Sequence, residues 1–94
     1  MSDTDIHLAV IGCGGFGLFS LQHFAQVPGI KLVGMAGTHR EAAHAAAERF
    51  GIPDVQDVDT LLTRGDIDLV YISTPPFLHH PQVMSALKAG KHVI

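Results

Sequence analysis

Charge is scarce in this 94-residue sequence: 16% of its residues are Asp, Glu, Lys or Arg, against 47% hydrophobic. The six lysines and arginines are scattered and the formal net charge is −3, which argues against nucleic acid as the main partner. There is a single cysteine, Cys13, so an internal disulfide and a cysteine zinc cluster are both excluded. A lone thiol suits a reducing cytoplasm. No apolar run approaches the roughly 20 residues that a membrane-spanning helix needs. The stretch Met1 to Asp5 is polar and acidic, unlike a secretory leader. Repeats, low-complexity tracts and linkers are absent too. Together these absences predict a cytoplasmic protein that engages neither membrane nor nucleic acid.

The same composition is apolar for a small domain, whose surface should carry more charge. A sheet buried on both faces explains part of it. Surface destined to be covered by further chain or by another subunit, as in a homo-oligomer, explains the rest. The length fits one domain of five strands and leaves no room for a second.

What is present is organised around Ile6 to Gly17. The apolar run Leu8-Ala9-Val10-Ile11 stops at Gly12, a glycine cluster follows, and a helical pattern starts at Phe16. Gly12, Gly14 and Gly17 fit G-x-G-x-x-G. The first glycine permits a tight turn out of the strand, the second lets a pyrophosphate approach the backbone, and the third lets helix and strand pack closely. The unpaired N–H groups of Gly15 and Phe16 would then face the anion at the helix mouth. In this strand–turn–helix setting the motif predicts a dinucleotide site.

Strands and helices alternate along the rest of the chain, the pattern of a doubly wound parallel sheet in a three-layer α/β/α sandwich. The apolar spacing predicts a helix over 16–27, ended by Pro28-Gly29, and a strand over 31–36. Thr38-His39-Arg40-Glu41 has the form of a capping box opening a second helix that runs to Phe50. A short, weak strand is expected within 53–56, then a short helix around Leu61 and Leu62 capped by Asp57 or Asp59 and ending at Gly65. Asp68 to Ile72 reads as a buried strand, and Ser73-Thr74-Pro75-Pro76 as a loop. Pro81 suits the first position of the next helix, with His80 as its cap and Gly90 closing it. His92-Val93-Ile94 looks like the beginning of a fifth strand, an unusual place for a complete protein to stop.

The end of the second strand bears on the choice of cofactor. An NAD site usually carries an acid there, about 20 residues past the glycines, to hold the ribose hydroxyls. Residues 35–40 contain none. Arg40 could instead pair with a 2′-phosphate, and Thr38 and His39 could donate hydrogen bonds to it, so NADP is expected to be preferred over NAD. The plainer roles of helix cap for Thr38 and solvated first-turn residue for Arg40 are compatible with this. Thr74 and Pro75 follow a central strand, beside the crevice where ligands bind in open α/β sheets.

From Leu8 to Ile94 the sequence resembles the N-terminal half of the Gfo/Idh/MocA oxidoreductases, the group of glucose–fructose oxidoreductase and inositol 2-dehydrogenase. The matching pieces are V-I-G-C-G-G-F-G at 10–17, D-L-V-Y-I-S-T-P-P at 68–76, L-H at 78–79 and A-L-K-A-G-K-H-V at 86–93. The resemblance implies a Rossmann domain of strand order 3-2-1-4-5 that binds NAD or NADP across the ends of strands 1 and 4. It places the Thr74-Pro75 loop against the cofactor's ribose and nicotinamide, and His79 near the nicotinamide end. It also implies an enzyme that moves hydride between nicotinamide C4 and a carbon of a sugar, polyol or related cyclic alcohol. In the family a Glu-Lys-Pro motif follows the fifth strand and an acid/base pair lies in a second domain. Neither is present here, so residues 1–94 are expected to be the cofactor-binding part of a larger enzyme, with no catalytic residue and no turnover alone.

The remaining chemistry-bearing residues offer less. His7, His23, His44, His80 and His92 lack metal-ligand spacing with acids or cysteines, so no metal is expected. Asp57, Asp59, Asp66 and Asp68 flank a short helix and suit capping and solvation. No serine sits in a nucleophile elbow. A non-catalytic dinucleotide-binding or dimerisation module is the alternative function. A phosphoryl receiver is disfavoured, because glycines stand where its acidic cluster would be.

Overall fold

A computed structural model describes residues 5–12, 15–37, 40–74 and 76–94, the side chains of 15–19 and 76–79 excepted. The apolar runs become four parallel strands: β1 (Ile6–Ile11), β2 (Ile30–Ala36), β3 (Leu69–Ile72) and β4 (His92–Val93). They lie in the order β2-β1-β3-β4. The central strand is β1, and its residues 8–11 are fully buried. That burial explains why Leu8 to Ile11 reads as continuous apolar sequence: both faces of a parallel sheet are covered.

Among the described residues four helices do the covering: α1 (Gly15–Phe24), α2 (Arg40–Phe50), α3 (Val58–Leu62) and α4 (Pro76–Lys88). On one face, Leu8 and Val10 pack with Leu21 of α1 and Ala46 and Ala47 of α2. On the other, Ala9, Ile11, Val70 and Ile72 pack with Leu61 and Leu62 of α3 and Ala86 of α4. The two clusters are the two interfaces of a doubly wound, three-layer Rossmann-like domain.

Strand β2 departs from simple alternation. Leu8 stands opposite Leu32, but Ala9 stands opposite Gly34, so Val33 is an extra residue and the register shifts. A bulge puts two consecutive residues on one side. Accordingly Ile30, Leu32 and then Met35 join the α1/α2 cluster, while Val33 and Ala36 join the other. A Cβ on Gly34 would lie 2.6 Å from Leu61 Cδ1. The Val33 carbonyl accepts a hydrogen bond from Arg64 Nη1 (2.9 Å).

Several boundaries differ from the sequence expectation. Beside β2, where a further strand is expected within 53–56, the described residues form an isolated parallel bridge between Met35 and Val55. Met35 N–H donates to the Asp54 carbonyl (2.9 Å), and its own carbonyl accepts from Gln56 N–H (3.1 Å). Pro53 lacks an N–H and so cannot extend this ladder. The spatial sequence 55, β2, β1, β3, β4 is nevertheless that of order 3-2-1-4-5. Helix α1 ends at Phe24, and the chain tightens into i→i−3 bonds from Gln26 to His23 and from Val27 to Phe24 before Pro28. The expected capping residue Thr38 lies outside the described residues; α2 is described from Arg40.

The largest correction concerns α4. It begins at Pro76 rather than Pro81, so Pro81 lies inside the helix and the exposed His80 is not its cap. Pro76 occupies the first position, where a missing N–H costs nothing. Pro81 removes one helical bond, to the carbonyl four residues earlier. Val83 and Ala86, packed on the sheet beyond it, hold the helix through that interruption. For α3 the cap is Asp57, whose Oδ1 accepts the Thr60 N–H (2.7 Å).

Candidate functional site

The parallel arrangement brings the carboxyl ends of β1, β2 and β3 to one edge of the sheet, and α1, α2 and α4 start from the turns there. Between β1 and β3 the winding reverses, because one half of the chain builds outward to β2 and the other to β4. Such a switch point opens a crevice between adjacent loops.

Gly12 sits at this point, buried, with φ +107°. Its N–H donates to the Ala36 carbonyl of β2 (2.7 Å). A Cβ there would lie 2.8 Å from Ser73 Oγ, 2.9 Å from the Ser73 carbonyl carbon and 2.9 Å from Thr74 N. Two independent constraints therefore require glycine: the backbone conformation, and the approach of the β3–α4 turn. Ser73 reinforces that approach by donating its N–H to the Ile11 carbonyl (2.8 Å) and its hydroxyl to the Gly12 carbonyl (3.3 Å). Ser73 is not among the residues expected from sequence, although its place directly after a buried strand is a usable signal.

Gly15 opens α1, and Phe16 and Gly17 follow in its first turn, so their N–H groups belong to the set without intrahelical partners. Gly14 lies outside the described residues, as do Thr38, His39 and Pro75. Helix α1 is fixed to the sheet by a hydrogen bond between Ser20 Oγ and Tyr71 Oη (2.8 Å). Phe24 also packs edge-on against the Tyr71 ring, at 5.2 Å between centroids. Neither Ser20 nor Tyr71 carries a sequence signal for this pairing, since they are 51 residues apart.

Arg40 starts α2 and is exposed. Its positive charge helps to hold the Asp57 carboxyl below the ordinary carboxylate range, after the larger effect of the Thr60 hydrogen bonds. Asp57 is thus an acid near Arg40 that residues 35–40 do not contain, but it is engaged in capping α3. Thr74, on the β3 side of the crevice, is 6% exposed and donates its hydroxyl to Gln82 Oε1 of α4. His79 lies in the first turns of α4, and its side chain is outside the description. Among the described residues no three His, Cys, Asp or Glu side chains gather to hold a metal. No described helix is long and apolar enough to cross a membrane.

A model of the oxidoreductase family with an NAD-binding Rossmann fold, Gfo/Idh/MocA, matches residues 6–94. The chain belongs to this family. Among its relatives, a dTDP-3,4-didehydro-2,6-dideoxy-alpha-D-glucose 3-reductase of Streptomyces violaceoruber is 42% identical over 90 residues, which cover 95% of this chain and 26% of the relative. A 3-ketoreductase from Actinomadura kijaniata, solved with TDP-benzene and NADP, superposes with a TM-score of 0.89 at 34% identity, over 96% of this chain and 29% of that one. A scyllo-inositol dehydrogenase from Lactobacillus casei, solved with NAD(H) and scyllo-inositol, gives 0.87 at 31% identity, over 95% and 27%. The chain thus spans little more than a quarter of the length of these relatives. One of these similar structures holds NADP and the other NAD(H), so the likeness alone leaves the preference open.

The residues present fit such a cofactor. Gly12, with φ +107°, makes the tight turn out of β1, and α1 opens at the same edge with N–H groups that have no intrahelical partner.

Proposed function

We propose that residues 1–94 form the dinucleotide-binding part of a larger NAD(P)-dependent oxidoreductase that acts on a sugar, polyol or related cyclic alcohol. Gly12, Gly14, Gly15, Phe16 and Gly17 cradle the pyrophosphate with backbone N–H groups and the positive end of α1. Thr74, Pro75 and His79 line the ribose and nicotinamide end. When bound, the nicotinamide supplies a hydride donor or acceptor at C4. This part of the chain binds and orients it, whereas substrate binding and proton management belong to a second domain outside these residues. Alone, residues 1–94 turn over no sugar or polyol.

NADP is the preferred cofactor in this reading. Thr38, His39 and Arg40 meet the 2′-phosphate, and no acid in residues 35–40 repels it. Asp57 does not replace that missing acid, because its carboxylate is committed to the Thr60 N–H.

The observation that carries the proposal is the buried, positive-φ Gly12 against Ser73 and Thr74, at the switch point of a family Rossmann sheet. Its test is a fluorescence titration of the chain with NADPH and NADH. Tighter NADPH is expected, and Arg40→Ala should weaken NADPH more than NADH by a factor on the order of 10–100. Equal affinity, or tighter NADH, removes the NADP assignment; no saturable binding of either removes the site.

A further inference from the structure

Two segments of chain meet at the carboxyl end of β2. One is β2 itself, which leads from Ala36 to Arg40 at the start of α2. The other is residues 54–57, which Met35 holds against β2: its N–H donates to the Asp54 carbonyl, and its carbonyl accepts from Gln56 N–H. Asp57 is the next residue, so it stands at the same end of the sheet as Arg40. The two acids of this segment differ. Asp54 pairs with the Arg64 guanidinium (3.0 Å), which balances its charge. Asp57 accepts the Thr60 N–H, and a neutral donor satisfies an oxygen without cancelling the carboxylate's charge. The Thr60 bonds, and after them the charge of Arg40, hold this carboxyl below its ordinary 3.8, so it is ionised at neutral pH. A phosphate monoester carries about −1.5 to −2 there, whereas a ribose hydroxyl is neutral.

We infer that Asp57 is a specificity-determining residue for the cofactor that acts by charge and not by contact: held at the carboxyl end of β2 with Arg40, its carboxylate opposes a 2′-phosphate and is indifferent to a 2′-hydroxyl, so it narrows the preference for NADP over NAD. The inference rests on the reading that Arg40 meets the 2′-phosphate. It separates two duties that an acid near this ribose can have. One is to grasp the hydroxyls, which favours NAD by attraction. The other is to lower the potential around the guanidinium, which disfavours NADP by repulsion. Asp57 performs the second.

Fluorescence titrations of the purified chain with NADPH and NADH at about 0.05 M salt, where charges are weakly screened, test this. Asp57→Asn removes the charge and keeps a side chain that caps a helix as well as aspartate does. It should tighten NADPH about 2- to 5-fold and move NADH by less than about 1.5-fold. Asp57→Ser, also a good cap, should give the same pair of shifts and takes over should Asp57→Asn fail to fold. At about 0.5 M salt the gain for NADPH should shrink below about 1.5-fold. Asp5→Asn removes an equal charge at the opposite, amino edge of the sheet and should leave both affinities within about 1.5-fold of the parent. An unchanged or weakened NADPH affinity, an equal gain for both cofactors, a gain that survives high salt, or the same gain from Asp5→Asn would overturn the inference. So would weaker NADH binding by Asp57→Asn, which would make the carboxylate a ribose acceptor. In each case the Arg40 reading stands as long as Arg40→Ala weakens NADPH more than NADH; where it does not, both fall.

Discussion

Replacing Gly12 by alanine should separate the two constraints at the switch point, because two other glycines each isolate one of them. Gly29 has φ +86° and nothing within 4 Å of where a methyl group would stand, so Gly29→Ala meets only the cost of positive φ, about 1–2 kcal/mol. Gly34 has no positive φ, but its Cβ would press on Leu61 Cδ1 at 2.6 Å, so Gly34→Ala meets only overpacking, about 1–3 kcal/mol. Gly12→Ala meets both, and its nearest neighbours at 2.8–2.9 Å include backbone atoms of Ser73 and Thr74 that cannot swing aside. A loss of about 2–5 kcal/mol follows, a large part of the stability of a domain this size. The melting temperature should fall by something on the order of 10–30 °C. With no tryptophan in the chain, urea unfolding is best followed by circular dichroism, comparing midpoints at unchanged slope. If Gly12→Ala proved no costlier than Gly29→Ala, the β3–α4 turn would not approach β1 as described, and the crevice would lose its floor.

Tyr71→Phe removes the hydroxyl bonded to Ser20 and should cost about 1 kcal/mol in the same assay, with Ser20→Ala no worse when added to it. The Asp66 carboxyl is held below its ordinary 3.8 chiefly by its hydrogen bonds from Arg64. A depressed folded value means that this stabilisation is complete above the unfolded value and disappears as pH falls through the folded one. Between pH 5 and pH 3, in stability measured by urea midpoint, Arg64→Met should therefore lose less than the parent; the difference should be at most about 1 kcal/mol because Asp66 is half-exposed. A larger acid loss in Arg64→Met would contradict the pairing.

Local chemistry makes some of this legible in the sequence. The strands β1 and β3 stand out because burial on both faces leaves unbroken apolar runs, and the glycine turn declares itself by spacing. The Asp57 cap is readable for the same reason, since donor and acceptor are three residues apart. Other features depend on partners that only folding brings together. The bulge at Val33 reverses the phase of alternation within β2, and no residue type announces it. Two prolines, at 76 and 81, each satisfy the rule for a helix start, and the sequence rule alone does not choose between them; the helix starts at the first. Gln82 resembles any half-exposed helical glutamine until Thr74 is seen beneath it.

The flank of β2 is closed by very little chain. Met35 spends its outward amide on residues 54 and 56, and the carbonyl released by the bulge is capped by a guanidinium that also grips Asp54 (3.0 Å) and Asp66. Exposed rows of such groups are templates on which foreign strands add. Three residues of irregular chain and one arginine thus quench that margin against fibrous self-pairing, without the outlay of a full strand.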